Sequence, residues 1–253
     1  MPRISLVSTC ASTALSTLRS ILSKAKGYSL LSNMSKSKKT ILITAGPTIE
    51  PIDPIRYISN YSTGRMGYEI ARVAKERNYN VVLINGPTSL DAPKGIKSIS
   101  VKTALDMRRE VLKFFRRADY VVMAAAVSDF RPATVSKNKI KKISKKALSL
   151  KLIRNPDILS ELGRVKGRRI LVGYSLETDK PIENAEEKLK SKNLDIIVVN
   201  KIRKRCNPFG PGIKDIAIID RRGEISAIRA ASKREIAEVL LDKIESISRC
   251  ANP

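Results

Sequence analysis

The chain has no histidine and no tryptophan in 253 residues. Without histidine there is no Ser-His-Asp triad, no Cys-His dyad and no His-ligated zinc. Any proton transfer falls to carboxylates, lysine, tyrosine or a bound metal. Aromatic residues make up only 4%, and no nucleic-acid-binding motif is present, which argues against a specific reader of DNA or RNA. The three cysteines, Cys10, Cys206 and Cys250, show no paired spacing. They suggest neither a disulfide framework nor a zinc ribbon, and a reduced cytoplasm is the natural compartment. No apolar run approaches the ~18 residues that span a bilayer, so no membrane association is expected. The glycine fingerprint G-x-G-x-x-G is also missing, which argues against a nicotinamide oxidoreductase.

What is abundant is positive charge. Lys and Arg number 49 against 24 Asp and Glu, a formal net charge of +25. Such an excess points to anionic partners: nucleic acid, a membrane surface or phosphorylated small molecules. Its distribution is uneven. Residues 1–38 carry six basic and no acidic groups, and residues 131–169 carry thirteen basic and two acidic. The remainder is close to a balanced surface. The tail to Lys38 is Ser-rich, with Leu15, Leu18, Ile21 and Leu22 at helical spacing. It reads as a disordered or dispensable segment, or alternatively as an organellar targeting signal. Met34, just before the first strand-like run, is a second possible start.

From Thr40 onward short apolar runs alternate with amphipathic segments. Strands are predicted at Thr40–Ala45, Val81–Ile84, Tyr120–Ala124, Ile170–Gly173 and Ile196–Val199. Helices are predicted at Gly67–Arg77, Ala104–Arg117, Pro156–Arg164 and Pro181–Lys192. This alternation indicates βαβ units and a three-layer, Rossmann-like α/β fold: a parallel sheet with helices on both faces. The end differs. Ile216–Ile219 and Glu224–Ala227 flank Arg221-Arg222-Gly223 as a hairpin, a small antiparallel addition. Ser232 and Glu235 then form a capping-box signature before a helix over Lys233–Ile247.

Several segments carry candidate chemistry. The first strand ends in Thr44-Ala45-Gly46-Pro47-Thr48-Ile49-Glu50-Pro51, followed by a long loop and then Ile58-Ser59-Asn60-Tyr61-Ser62-Thr63-Gly64-Arg65-Met66-Gly67, which opens a helix. Glycines and hydroxyls before a helix N-terminus form a phosphate site, because free N–H groups and the helix dipole favour an anion. Tight helix–strand packing explains Gly64 and Gly67 equally well. The third strand runs into Ala124-Ala125-Ala126-Val127-Ser128-Asp129. Small residues there let a ligand approach the backbone, and Asp129 could hold a ribose, a base or a metal, or cap a turn. The basic run Lys137-Asn138-Lys139-Ile140-Lys141-Lys142, with Lys145 and Lys146, reads either as a mobile flap over a phosphorylated substrate or as a solvated charge run. Tyr174 could stack on a base. Lys188 and Lys192 share a helix face at i and i+4 and could meet phosphates or solvent.

Taken together, the stretches TAGPTIEPIDPIRYISNYSTGRMG, AAAVSDFRP, KIKK, NPDIL, GYSLET and AEEKLKSKNLDIIVVN resemble the phosphopantothenate–cysteine ligases of coenzyme A biosynthesis, in family order over about residues 39–248. The resemblance implies one ligase domain over 39–253, in a stand-alone form without the flavin-dependent decarboxylase domain to which bacterial members are usually fused. It implies no flavin, CTP as co-substrate in preference to ATP, Mg²⁺, and an acyl-cytidylate intermediate between 4′-phosphopantothenate and cysteine. It also implies a homodimer whose flap reaches the neighbouring site, and a separate decarboxylase acting next. By motif, Asn60 matches the asparagine that contacts the acyl group, with Ser62 and Gly64 beside the substrate. Lys139 matches the activating flap lysine, which also contacts the nucleotide. Ala124, Ala125, Asp129, Pro156, Asp157, Ile158, Leu159, Tyr174, Lys188 and Lys192 match nucleotide-contacting positions, Asp129 being a possible metal contact. The chain departs from the family pattern at Ser62-Thr63-Gly64-Arg65, where Ser-Ser-Gly-Lys is common. Tyr174 stands for a usual Phe, and Phe209–Lys214 lacks the expected Asp and Asn. The other readings are a basic nucleic-acid-binding protein and a nicotinamide oxidoreductase.

Overall fold

Near-continuous apolar runs such as Ile41–Ile43, with no exposed surface, can only be strands covered on both faces. The computed structural model describes residues 38–141, 148–177, 179–201 and 214–250. The tail through residue 37, Lys142, Lys145 and Lys146, Cys206 and the stretch 209–213 lie outside the described residues. In chain order the elements are β1 (Thr40–Ala45), β2 (Ile49–Pro51), β3 (Tyr57–Ser59), α1 (Arg65–Glu76), β4 (Asn80–Asn85), β5 (Lys97–Ser100), α2 (Ala104–Phe115), β6 (Tyr120–Met123), β7 (Phe130–Pro132), β8 (Leu152–Arg154), α3 (Ile158–Arg164), β9 (Ile170–Glu177), α4 (Pro181–Ser191), β10 (Ile196–Lys201), β11 (Lys214–Asp220), β12 (Ile225–Ala231) and α5 (Lys233–Cys250).

The main sheet has eight strands in the order β12-β11-β10-β9-β6-β1-β4-β5. The six from β5 to β10 are parallel; β11 and β12 add antiparallel at one edge. Helices α1 and α5 cover one face, burying Ile70, Val73, Leu240 and Ile244 against Ile43, Val122 and Val198. Helices α2, α3 and α4 cover the other, burying Met107, Leu162 and Leu189 against Leu42, Val121 and Ile197. Arg77 at the end of α1 ties the first pair together through Asp242 at 2.7 Å, and Tyr79 Oη donates to Glu245 at 2.8 Å. The predicted capping box is present: Glu235 N–H donates to Ser232 Oγ (3.2 Å) and Ser232 N–H to Glu235 Oε2 (2.6 Å). A second box, Thr103 with Asp106, opens α2.

The three-layer architecture is as predicted; the details differ in informative ways. The loop after Pro51 is not open chain, because β2 and β3 pair as a small antiparallel hairpin. β7 and β8 pair likewise on either side of the basic segment. β5 escaped prediction because its KSIS sequence is a polar edge strand with little apolar signal. The basic segment through Ile140 is not free. Ser136 N–H donates to Ile52 O (3.0 Å) and Ile140 N–H to the Asp53 carboxylate (3.1 Å), so the hairpin holds its foot. Pro156 and Asp157 precede α3 rather than forming its first turn, with Asp157 as the N-cap. β9 continues to Glu177, beyond the Gly173 end expected from its apolar run.

Candidate active site

The cleft of interest has a volume of about 610 Å³ and lies at the carboxyl edge of the sheet. The chain leaves β1 for α1 on one face and reaches neighbouring β6 through α2 on the other. The crevice between such diverging connections is where doubly wound sheets bind ligands. A larger depression, about 930 Å³, lies at the opposite edge and is lined by seven Lys and Arg. Several of those cations are already engaged. Lys39 pairs with Asp119 and Lys166 with Asp195, both within 2.9 Å, and Arg169 donates to the carbonyls of Phe115 and Arg116. Cations at helix C-termini are what the dipole favours, so this depression needs no ligand to explain it.

The floor of the cleft is built by close backbone approach. Gly64 caps α1 in the left-handed region (φ 74°), with no side-chain cap and no acidic residue in the first turn. A Cβ there would lie 3.1 Å from Gly46 N. At Gly67 a Cβ would fall 2.6 Å from Ala45 Cβ and 2.8 Å from Thr44 O, so Gly67 is required for helix–strand packing. The packing reading holds at Gly67, while Gly64 leaves the first turn of the helix without a side-chain cap. The result is an uncapped helix N-terminus opening into the cleft, with Ser62, Gly64 and Arg65 in its wall.

The opposite wall is the strap after β6. Ala126 N–H donates to Gly46 O (2.9 Å) and Thr48 N–H to Ala126 O (3.3 Å). Ala125 N–H donates to Thr44 Oγ1 and Ser128 N–H to Thr48 Oγ1. These bonds fix Ala124 and Ala125 in the lining without side chains to obstruct a ligand. Asn60 crosses the cleft: its Nδ2 donates to Val127 O (3.1 Å) and Ala126 O (3.4 Å). With both amide hydrogens used, Oδ1 is the group left for a bound molecule. Asp129 is exposed in the lining; its carbonyl accepts from Asn155 N–H (2.8 Å), and its carboxylate is unpaired among the described residues.

Tyr174, Ser175 and Lys188 form the far end. Lys188 Nζ is held by Ser175 Oγ (3.0 Å) and the Glu177 carboxylate. Burial pushes Glu177 up, but bonds from Lys188, Ser175 and Asn184 outweigh it and hold the carboxyl below its usual range. Lys188 is therefore held in a fixed orientation on the cleft wall. The Tyr174 ring packs on the α1/α5 side of the core, its hydroxyl is buried without a partner among the described residues, and burial raises its pKa.

The structure thus brings together Asn60, Ser62, Gly64, Ala124, Ala125, Asp129, Tyr174 and Lys188. Lys139, Pro156, Asp157, Ile158, Leu159 and Lys192 stand outside this lining. Asp157 caps α3 by accepting from Ser160 N–H and pairs with Lys192 at 2.8 Å. Ile158 is buried in the core. Lys188 and Lys192 do not share a helix face, because α4 ends at Ser191 and Lys192 is its C-cap; Lys188 turns to β9 and Lys192 to the start of α3. Lys139 is exposed at the foot of the flap. Sequence reasoning missed Ser175, Asn200 and Lys233, all in the wall. Asn200 had a signal, a polar residue ending the buried run Ile196–Val199. Lys233 had none, since only the folded chain shows that α5 starts beside the cleft. Among the described residues no group of three or more Cys, Asp or Glu side chains is gathered to hold a metal.

This geometry has counterparts in known proteins. Residues 36–247 match the family described as the DNA/pantothenate metabolism flavoprotein C-terminal domain. The coenzyme A biosynthesis bifunctional protein CoaBC of Bacillus subtilis (strain 168) is 42% identical over 212 residues, 83% of this chain and 52% of that protein. Its Escherichia coli (strain K12) namesake is 38% identical over 207 residues, 81% and 51% respectively. The chain thus spans about half the length of these relatives. A crystal structure of the C-terminal domain of a CoaBC protein superposes with a TM-score of 0.70 at 35% identity, over 83% of this chain and 95% of that one. A DNA/pantothenate metabolism flavoprotein from Streptococcus pneumoniae shares the fold, at a TM-score of 0.72 and 22% identity, over 83% of this chain and 100% of that one. This chain belongs to the DNA/pantothenate metabolism flavoprotein C-terminal domain family.

Proposed function

We propose that this chain is a phosphopantothenate–cysteine ligase that uses CTP. The observation that carries this reading is the convergence, in one cleft, of an uncapped helix N-terminus, Asn60 with a free acceptor, the Ala124–Asp129 strap and Lys188 held by Ser175 and Glu177. The similarity to CoaBC proteins supports it. In the first step a carboxylate oxygen of phosphopantothenate attacks the nucleotide α-phosphorus, the bond to the β-phosphate bridging oxygen breaks, and pyrophosphate leaves. In the second, the cysteine nitrogen attacks the acyl carbon, the acyl–oxygen bond breaks, CMP leaves and the ammonium gives up a proton. The leaving groups are stabilised anions, so the chemistry rests on positioning and charge neutralisation, and a histidine-free chain suffices.

The chain's own groups divide the work. The first-turn N–H groups of α1 and Lys188 hold phosphate oxygens. The backbone of Ala124 and Ala125 admits the nucleotide closely. Asn60 orients the acyl group. Asp129 fits a single carboxylate contact to Mg²⁺, which takes one or two carboxylates plus substrate phosphates rather than a protein cage. Such an ion would neutralise phosphate charge. The purified protein is expected to sustain pyrophosphate release over many turnovers only with nucleotide, Mg²⁺, phosphopantothenate and cysteine all present, with at most one equivalent released when cysteine is left out, and faster with CTP than ATP. No release with either nucleotide sinks the reading.

The protein is read as a cytoplasmic homodimer. Among the described residues no helix is long and apolar enough to cross a membrane. Ile55 and Tyr57 on the β2–β3 hairpin, and Phe130, Leu152 and Ile153 on the β7–β8 arm, are large apolar side chains at least 37% exposed. Such patches mark contact surfaces. Sedimentation equilibrium is expected to give twice the chain mass, with Ile153→Asp shifting the protein to monomer; a monomeric wild type removes the assignment.

A further inference from the structure

Asp53 has no place in the cleft, yet its carboxylate accepts five bonds. It lies 3% exposed in the turn between β2 and β3. Its Oδ1 accepts from the N–H groups of Ile55 (2.9 Å) and Arg56 (2.8 Å). Its Oδ2 accepts from Arg56 Nε (3.0 Å), Arg56 Nη2 and Ile140 N–H (3.1 Å). The last bond spans 87 residues of sequence. Arg56 Nη2 also donates to Ile140 O at 3.1 Å. Both peptide groups of Ile140 are therefore clamped, and one of them is the Lys139–Ile140 peptide itself.

A second tie lies four residues earlier, Ser136 N–H to Ile52 O (3.0 Å). Between the ties Ser136 Oγ donates to Asn138 O (2.6 Å). Lys139 thus sits on a short span held at both ends by the β2–β3 turn, inside a stretch whose like charges repel. A turn-stabilising Asp needs only its bonds to residues 55 and 56; the contacts to Ile140 do nothing for the hairpin and act only on the flap. We propose that Asp53 is a positioning residue, which acts through Ile140 and Arg56 to fix the backbone of Lys139 for activation of the carboxylate. The kinetic part of this inference rests on the ligase reading; the clamp itself does not.

The test uses the full chain with Asp53→Asn, which keeps size and the local turn acceptors but loses the charge that holds Arg56. Hydrogen exchange at the Ile140 amide is expected to speed up at least ~10-fold while amides of β1 are unchanged. CTP affinity is expected to stay as in wild type while the maximal rate of acyl-nucleotide formation falls roughly 10–100-fold, the cost of a misplaced group. Unchanged exchange at Ile140, or faster exchange with a normal rate, overturns the proposal. If wild type forms no acyl-nucleotide, the ligase reading fails and the exchange arm alone decides whether the clamp exists. Should Asp53→Asn not fold, Ile140→Pro deletes the flap-side donor and leaves the turn bonds intact. It is expected to show the same loss of rate at constant CTP affinity, and a normal rate overturns the proposal.

Discussion

Replacing Lys139 by alanine is expected to abolish acyl-nucleotide formation while CTP still binds. The proposed reaction joins two anions, a carboxylate and an α-phosphate. At ~4 Å in surroundings of effective dielectric ~20, such charges repel by about 4 kcal/mol. A lysine cation between them removes that term, and loss of one such electrostatic group costs ~10²–10³ in rate. Pyrophosphate release should fall by that factor in Lys139→Ala. In Lys137→Ala, an exposed cation on the same span, it should be near wild type. Equal activity in the two variants removes Lys139 from the reaction. Because Lys139 does not line the cleft of its own chain, it is expected to serve the neighbouring subunit. Mixing Lys139→Ala with Asn60→Ala chains should then restore roughly a quarter of wild-type activity, since half of randomly paired dimers carry one complete site. An inactive mixture places lysine and cleft in the same chain.

The second large effect is on stability. Gly86 follows β4, and its N–H donates to Ala45 O at 2.9 Å. A Cβ at Gly86 would stand 1.6 Å from Pro47 O and 2.7 Å from Pro47 C. Both are backbone atoms, so no rotamer relieves the clash and the Pro47 loop must move. That loop holds the strap through Ala126 and Thr48, so the cleft floor moves with it. Gly86→Ala is expected to cost about 3 kcal/mol, the upper end of overpacking penalties. For a chain of this size that lowers the melting midpoint by ~6–12 °C, and CTP affinity should fall with it. Gly223→Ala is the contrast: φ is +82° but nothing lies within 4 Å, so only backbone strain of about 1 kcal/mol applies. A wild-type melt for Gly86→Ala contradicts the close approach on which the cleft is built.

Legibility followed the range of the interactions. The central strands were readable because a parallel strand covered on both faces must be apolar along its length. The helices were readable from their single buried stripe, and the α5 cap from Ser232 and Glu235, because these signals repeat within one or two turns. β5 was not, since an edge strand with polar neighbours imposes no such pattern. Within the site, Gly64 and Ala124–Asp129 were legible because they sit where strands and loops run into small residues, and Asn60 only through the family resemblance. Ser175 and Lys233 were not, because their place in the wall comes from the pairing of β9 and from where α5 begins. The basic segment was misjudged as free as far as Ile140 because its tether, Asp53, stands 87 residues away.

The sequence by itself determined that no histidine chemistry operates, that the chain forms a helix-covered parallel sheet, and which short motifs flank the strand ends. Those conclusions depend on composition and on periodicity within a few residues. Only the tertiary structure decided that Gly64 shapes a helix cap while Gly67 permits packing, that Lys188 faces the cleft while Lys192 pairs with Asp157, and that Asp53 holds the foot of the flap. Each of those outcomes depends on which atom lies within about 3 Å of another across a long stretch of chain, a distance set by the folded sheet and not by spacing along it.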